Sequence, residues 1–337
     1  MNSGVTPLVS VIITTYHNEK LLKRAVESVF HQTYKRIELI VVDDNPPESD
    51  ARKATEAVMK KYPQAVYLKH SENRNGAAAR NTGIRAAKGE YIAFLDNDDV
   101  YFSEHVADCV KILEGHPECG AVLCGVVKVG GGICWDLIPT VTGDAVKEVF
   151  LRETALGTGS NIFARTFLVK EIKGFDESFQ RHQDVEFCIR LFSKCRIFSL
   201  PEVQIVKGMD GFSNTPDFDG FLRAKKHFMD KFRGTIEALY EQDQKRYFSG
   251  QYSSLLYAAC REGNREKIQW SVSELQKYRN LSGKEYLLVG LSKIHAFFIY
   301  EKIKRFIKWG KSGNIYRKVT KSLGDYDRQM FSDILKG

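Results

Sequence analysis

Gly89-Glu90-Tyr91-Ile92-Ala93-Phe94-Leu95-Asp96-Asn97-Asp98-Asp99 is the stretch that decides the fold. Tyr91 to Leu95 is an unbroken apolar run, the signature of a strand buried on both faces. It stops abruptly at three carboxylates and an amide. Working outward, the same pattern recurs. Leu8-Val9-Ser10-Val11-Ile12-Ile13-Thr14 is a second such strand, and Ile37 to Val42 a third that ends at Asp43-Asp44. Ala65 to Leu68 reads as another strand. Between them, Glu19–His31, Asp50–Lys61, Gly76–Ala87 and Ser103–Glu114 read as helices, the last with Ser103 as its cap. Strands alternating with helices predict a mostly parallel sheet with helices on both faces.

Beyond Cys119 the alternation loosens. Ala121 to Val129 reads as a strand running into the turn Gly130-Gly131-Gly132, and Ser160 to Ala164 as another. Val185, Cys188, Ile189 and Phe192 form a helical face. From Asp217 onward only helical patterning remains, so the expected division is an α/β domain over 1–216 and a helical C-terminal region over 217–337.

Composition narrows the function classes. The chain has 337 residues, 43% of them hydrophobic, enough for a packed core. Its formal charge is +8, and 293–322 holds nine Lys or Arg against the single acid Glu301, which equals the whole surplus. The rest is balanced, which argues against a nucleic-acid-binding core. Seven Cys with no C-x-x-C pair give no zinc or disulfide framework. Met1 to Pro7 carries no signal-like apolar region, and no run approaches the roughly 18 apolar residues that cross a bilayer. A cytoplasmic location is expected, with at most a peripheral contact at the inner face of the plasma membrane.

Ligands of open parallel sheets bind beyond the carboxyl ends of the strands. Three polar clusters fall there: Thr14-Thr15-Tyr16-His17-Asn18-Glu19, Asp43-Asp44 and Asp96-Asn97-Asp98-Asp99. Carboxylates in a tight loop suit a hard cation such as Mg²⁺ or Mn²⁺ shared with substrate phosphates, although Asp and Asn are also ordinary turn residues. No G-x-G-x-x-G and no P-loop follows the first strand, which excludes a dinucleotide site and a P-loop NTPase.

Taken with Gln32-Thr33-Tyr34, Ala79-Arg80-Asn81-Thr82-Gly83-Ile84, Gly174-Phe175-Asp176-Glu177 and Gln183-Asp184-Val185-Glu186-Phe187, these stretches closely resemble the family 2 glycosyltransferases over roughly residues 8–210. The resemblance implies the GT-A fold, Rossmann-like, and inverting transfer of one sugar from a nucleotide diphosphate donor, expected to be a UDP-sugar. The acceptor would be a hydroxyl of a glycan or lipid-linked glycan, in bacterial surface polysaccharide biosynthesis. It also implies roles. Thr14, Tyr16, Asp44, Arg80, Asp96 and Asn97 would contact the nucleotide sugar, with Tyr16 packing on the base and Asp44 accepting its imino N–H. Asp98 would ligate Mn²⁺ or Mg²⁺, and Asp184 would be the catalytic base.

Two departures stand out. The family's Glu-Asp pair is Gln183-Asp184 here, and Lys207 stands where many relatives carry a metal-binding His. No Q-x-x-R-W follows, so single transfer rather than polymerisation is expected. Gly157 to Asn161 is a candidate border of the acceptor site, and His182 a candidate acceptor contact. The alternatives are a non-catalytic nucleotide-sugar or glycan binding module and a nucleotidyltransferase. The latter would want a Gly-rich basic loop after the first strand. In the tail, Ile294, Phe297, Phe298, Ile303, Phe306, Ile307 and Trp309 interleave with Lys302, Lys304, Arg305 and Lys308. That pattern fits an anionic membrane surface, packing on the catalytic domain, or a homodimer contact.

Overall fold

The computed structural model of the protein describes residues 6–17, 19–141, 144–154, 156–208 and 216–336. Asn18 of the first polar cluster lies outside them. The strands are β1 Val9–Thr15, β2 Ile37–Asp43, β3 Val66–Lys69, β4 Tyr91–Asp96, β5 Asp99–Tyr101, β6 Cys119–Gly130, β7 Ile133–Leu137, β8 Phe163–Arg165 and β9 Arg196–Gly208. They form one sheet in the order β3-β2-β1-β4-β8-β6-β9-β5, with β7 paired to β6. The expected α/β architecture is present. Pairing is parallel from β3 through β4 and between β6 and β9, and antiparallel at the other junctions.

Helices α1 Glu19–Phe30, α2 Asp50–Met59, α3 Gly76–Ala86 and α4 His105–Gly115 cover this sheet. Val9, Val11 and Ile13 of β1 share a core with Leu22 and Val26 of α1, Met59 of α2 and Val106 of α4. Side chains alternate along a strand, so Ile12 points to the other face. There α3 crosses β1, and Gly83 lets it approach: a Cβ at that position would sit 2.5 Å from Ile12.

Ser103 does not cap α4. Its N–H and hydroxyl both go to Asp327, the hydroxyl at 2.7 Å. The first turn of α4 is satisfied instead by Gln32, whose Oε1 accepts from Val106 N–H at 2.9 Å while its amide donates to Phe102 O. The remaining helices are α5 Ala145–Phe150, α6 Thr166–Glu171, α7 Gln183–Phe192, α8 Phe218–Lys231, α9 Arg233–Glu237, α10 Glu241–Glu262, α11 Arg265–Gln276, α12 Gly283–Lys293, α13 Phe297–Thr320 and α14 Asp325–Lys336.

Two compact units result: Met1–Gly211 with Ser312–Gly337, and Phe212–Lys311. The division expected at 216/217 differs from these units, because the chain from Ser312 onward belongs to the first. Phe331, Met330 and Ile334 of α14 pack with Val100, Phe102, Val127 and Val206. The apolar spacing of α14 shows only that it has a buried face, not which surface covers it.

The second unit is helical around Phe218, Leu255, Leu256, Ile268, Leu275, Leu288 and Phe297. A capping box opens α12, where Ser282 caps the helix and Glu285 reaches back to the Ser282 N–H at 2.8 Å. Burial works against the charge of Glu285. The Arg279 fork, at 2.7 Å to each oxygen, and the Ser253 and Ser282 hydroxyls outweigh that and hold its carboxyl at about 2. A folded-state pKa below the unfolded one gives stability that is complete above about 4.5 and lost as pH falls toward 2. Glu285→Gln is therefore expected to cost about 2–3 kcal/mol at pH 7. In urea unfolding the gap between wild type and variant should shrink to roughly a quarter of that near pH 2.5; a gap independent of pH would refute the assignment.

Candidate active site

The carboxyl ends of β1, β2 and β4 bring the three polar clusters to one edge of the sheet. At β4 the chain turns tightly into β5, and the side chains of Asp96, Asp98 and Asp99 converge, each with a carboxylate oxygen within 4.8 Å of the others. Three hard oxygen donors in that space fit a divalent cation. Asp99, which the sequence reading did not single out, is the most buried of the three. Thr158 and Ser160 donate hydroxyls to its Oδ2 at 2.8 and 2.6 Å. Both lie in the 157–161 segment, whose Gly159–Asn161 turn lies under the acidic cluster.

Strand register delivers Lys207 to the same place. β9 runs antiparallel to β5 with Lys207 directly opposite Asp99, and Nζ lies 3.4 Å from Asp99 Oδ1. Burial works against the charge of Lys207, but the three carboxylates outweigh it and hold the ammonium protonated well above its usual range. Burial likewise pushes Asp99 up to about 7 against the pull of Lys207, and raises Asp98. Asp96 is held below its usual range: burial opposes ionisation, and Arg80 and Lys207 more than offset it.

Arg80 on α3 links this cluster to α7. One guanidinium nitrogen donates to Asp96 Oδ1 at 2.6 Å and the other to Gln183 Oε1 at 3.1 Å. The Gln that replaces the family's usual Glu thus accepts as a neutral partner, and its amide donates to Phe179 O at 2.7 Å. Asp184 follows at the second position of α7, half-buried, with Oδ1 accepting from Val185 N–H at 2.9 Å. The helix cap is His182, in the left-handed region at φ 61°, so Asp184 is not the cap.

An aromatic cluster holds α7 in place. Phe175 stacks on Phe187 at 4.1 Å between centroids, and both meet Phe94 of β4 edge-on. Arg190 grips Glu186 through two hydrogen bonds and donates to the carbonyls of Ile172 and Gly174. Asn81 of α3 clamps the same loop through Phe175 N–H and O and through Glu177. Gly174 is required there, since its φ is 67° and a Cβ would lie 2.3 Å from Asn81 Oδ1. These contacts give physical reasons for the Gly-Phe-Asp-Glu and Gln-Asp-Val-Glu-Phe stretches.

Arg80, Asp96, Thr158, His182, Asp184 and Lys207 line one open cleft of about 340 Å³. At the neighbouring strand ends, Thr14 is half-buried and Tyr16 is 49% exposed, with its ring edge-on to His17. Two of the expected contact residues already hold protein partners. Asp44 is buried with four donors on its two oxygens: His70 and the Arg74 N–H on Oδ1, Asn73 and the Asn75 N–H on Oδ2, all within 3.0 Å. A carboxylate has about four lone-pair sites, so a base N–H would have to displace one of these donors. These bonds make Asp44 a brace of the turn at 70–75. Asn97 sends its amide protons to Thr15 Oγ1 and His17 O, at 3.1 and 3.0 Å, and so braces the acidic turn against the end of β1.

The family described as Glycosyl transferase family 2 matches residues 10–141. An uncharacterised glycosyltransferase of Methanocaldococcus jannaschii is 29% identical over 225 residues, 65% of this chain and 75% of the relative. The amylovoran biosynthesis glycosyltransferase AmsB of Erwinia amylovora is 30% identical over 54% of this chain and 62% of its own length. Among solved structures, residues 1–349 of S. aureus TarS in complex with UDP-GlcNAc align with TM-score 0.54 at 15% identity, covering 86% of this chain and 92% of that TarS segment. The mannosyltransferase PcManGT of Pyrobaculum calidifontis, in complex with GDP-Man and Mn²⁺, aligns with TM-score 0.52 at 18% identity, covering 90% and 88%. The acidic turn, the arginine bridge and the carboxylate on α7 have the order expected from the sequence resemblance, and the match over 10–141 together with the named relatives supports a family 2 glycosyltransferase.

Proposed function

We propose that the chain transfers one sugar from a nucleotide diphosphate sugar, with UDP as the expected nucleotide, to a hydroxyl of a glycan or lipid-linked glycan, inverting the anomeric configuration. The observation that carries this reading is the shared cleft: Asp184 lines it together with Asp96 and the cations Arg80 and Lys207. Asp184 takes the proton of the acceptor hydroxyl as that oxygen bonds to the anomeric carbon. The bond from that carbon to the diphosphate oxygen breaks on the opposite face. Arg80 and Lys207 offset the negative charge that develops on the departing diphosphate. Asp96, Asp98 and Asp99 would hold Mn²⁺ or Mg²⁺, which when bound neutralises charge on the leaving phosphate. The exposed Tyr16 ring offers the base a stacking surface, with Thr14 beside it.

Work in the cytoplasm on bacterial surface polysaccharide fits this reading, and AmsB is a relative named for amylovoran biosynthesis. The test is a panel of UDP-, GDP- and dTDP-sugars, titrated with and without Mn²⁺ on wild type and Asp98→Ala. One nucleotide should bind and be released in wild type, with metal dependence lost in the variant. Absence of binding by any donor would refute the proposal.

A further inference from the structure

Helix α13 carries its apolar residues on the wrong side for a helix that serves only the core. An ordinary surface helix turns its apolar stripe inward. Here Phe297 and Tyr300 already fix α13 to its own unit, packing with Tyr257 of α10. The opposite side remains in solvent: Phe298, Ile299, Ile303, Phe306, Ile307 and Trp309 are each 40–69% exposed. At 100° per residue these six fall within roughly half the circumference of the helix. Single exposed apolar residues are normal, but six large ones on one continuous half-face mark a contact surface.

The charges around this face indicate what it meets. Lys302 projects within the apolar arc, with its ammonium 5.4 Å from the Phe298 ring, and Arg305 borders it. From 293 to 311 there are six Lys or Arg and one acid, Glu301. A second copy of the chain would bring the same positive charge to the contact. An anionic lipid surface satisfies both features at once, taking the aromatic and aliphatic side chains below the headgroups and the cations among them. No helix among the described residues is long and apolar enough to cross a membrane.

We infer that the exposed face of α13, from Phe298 to Trp309, docks the protein on an anionic membrane surface. From Ser312 onward the helix is no longer part of this face, since Ser312 and Val319 are buried in the first unit. The inference is independent of the transfer chemistry and stands or falls separately from it. For a glycosyltransferase it would bring the enzyme to the surface where a lipid-linked acceptor resides.

Flotation of the full chain with phosphatidylcholine vesicles, with and without phosphatidylglycerol, tests it. Binding is expected only with the anionic lipid and should fall as salt is raised. Phe306→Ser and Trp309→Ser should each weaken it about tenfold or more. Lys302→Glu combined with Arg305→Glu should weaken it at least about 30-fold. Thermal melting and vesicle-free release of nucleotide from the donor should match wild type in all three, which separates lost docking from lost folding. Failure to bind anionic vesicles, or binding indifferent to these substitutions, would overturn the inference. So would a wild-type dimer, seen by light scattering, that Trp309→Ser converts to a monomer while vesicle binding persists.

Discussion

Replacing Asp184 by Asn is expected to slow sugar transfer by about 10²–10⁴-fold while leaving donor affinity unchanged. The substitution keeps the shape of the side chain and an acceptor for the Val185 N–H, so α7 should keep its first turn. Donor contacts are kept as well, because Arg80 still bridges Asp96 and Gln183. What disappears is the cleft carboxylate to which the proposal gives the acceptor's proton. A purely structural Asp184 would behave differently. It would move the melting temperature, and at a second helical position that effect is limited to about 0.3–1 kcal/mol of helix-dipole interaction. Unchanged stability and donor affinity with transfer lost would assign the role to chemistry. Transfer within a factor of a few of wild type would remove Asp184 from the mechanism.

Lys207→Met should destabilise the first unit by about 3 kcal/mol, since it leaves buried carboxylates without their cation. In a unit of this size that corresponds to about 6–12 °C in melting temperature. Asp99 is wholly buried, and Asp96 and Asp98 share its space. With Lys207 gone, the cluster keeps Arg80, through Asp96, and the more distant pull of Arg24 on Asp98, but loses the cation that faces Asp99. Added Mn²⁺ or Mg²⁺ would then supply the missing positive charge. The shift in melting temperature on adding metal should accordingly be larger in Lys207→Met than in wild type. Equal shifts, or no loss of stability without metal, would mean that Lys207 is a bystander in the cluster.

The sequence made the first half of the fold legible because β1, β2 and β4 are buried on both faces and read as continuous apolar runs. β9 was not legible for the opposite reason. Its first half is only partly buried and interrupted by Pro201-Glu202, so neither an apolar run nor a clean alternation marks it. β5 is three residues long and takes its identity from β9 alone. That pairing is what carries Lys207 to Asp99. Sequence flagged Lys207 and held Asp99 only as the end of the acidic cluster, and nothing local says that they are opposite each other.

The candidate site divides in the same way. Arg80, Asp96, Asp98 and Asp184 come together as the motifs suggest. Thr158 and Ser160 had a signal only as members of a small-residue segment near the acceptor, and their hydroxyls turn out to hold Asp99. Asp44 and Asn97 were placed correctly at the strand ends, but their hydrogen bonds run inward. A polar residue at the end of a strand serves ligand and turn equally well until its partners are known.

The most direct test of a single-base inverting site needs no known acceptor. Slow hydrolysis of the accepted donor, with water in place of the acceptor, can be followed by proton NMR of the first-formed free sugar. The anomer released first should have the configuration opposite to that of the donor, and its appearance should be lost in Asp184→Asn. Release of the sugar with the donor's own configuration would contradict inversion and the role given to Asp184.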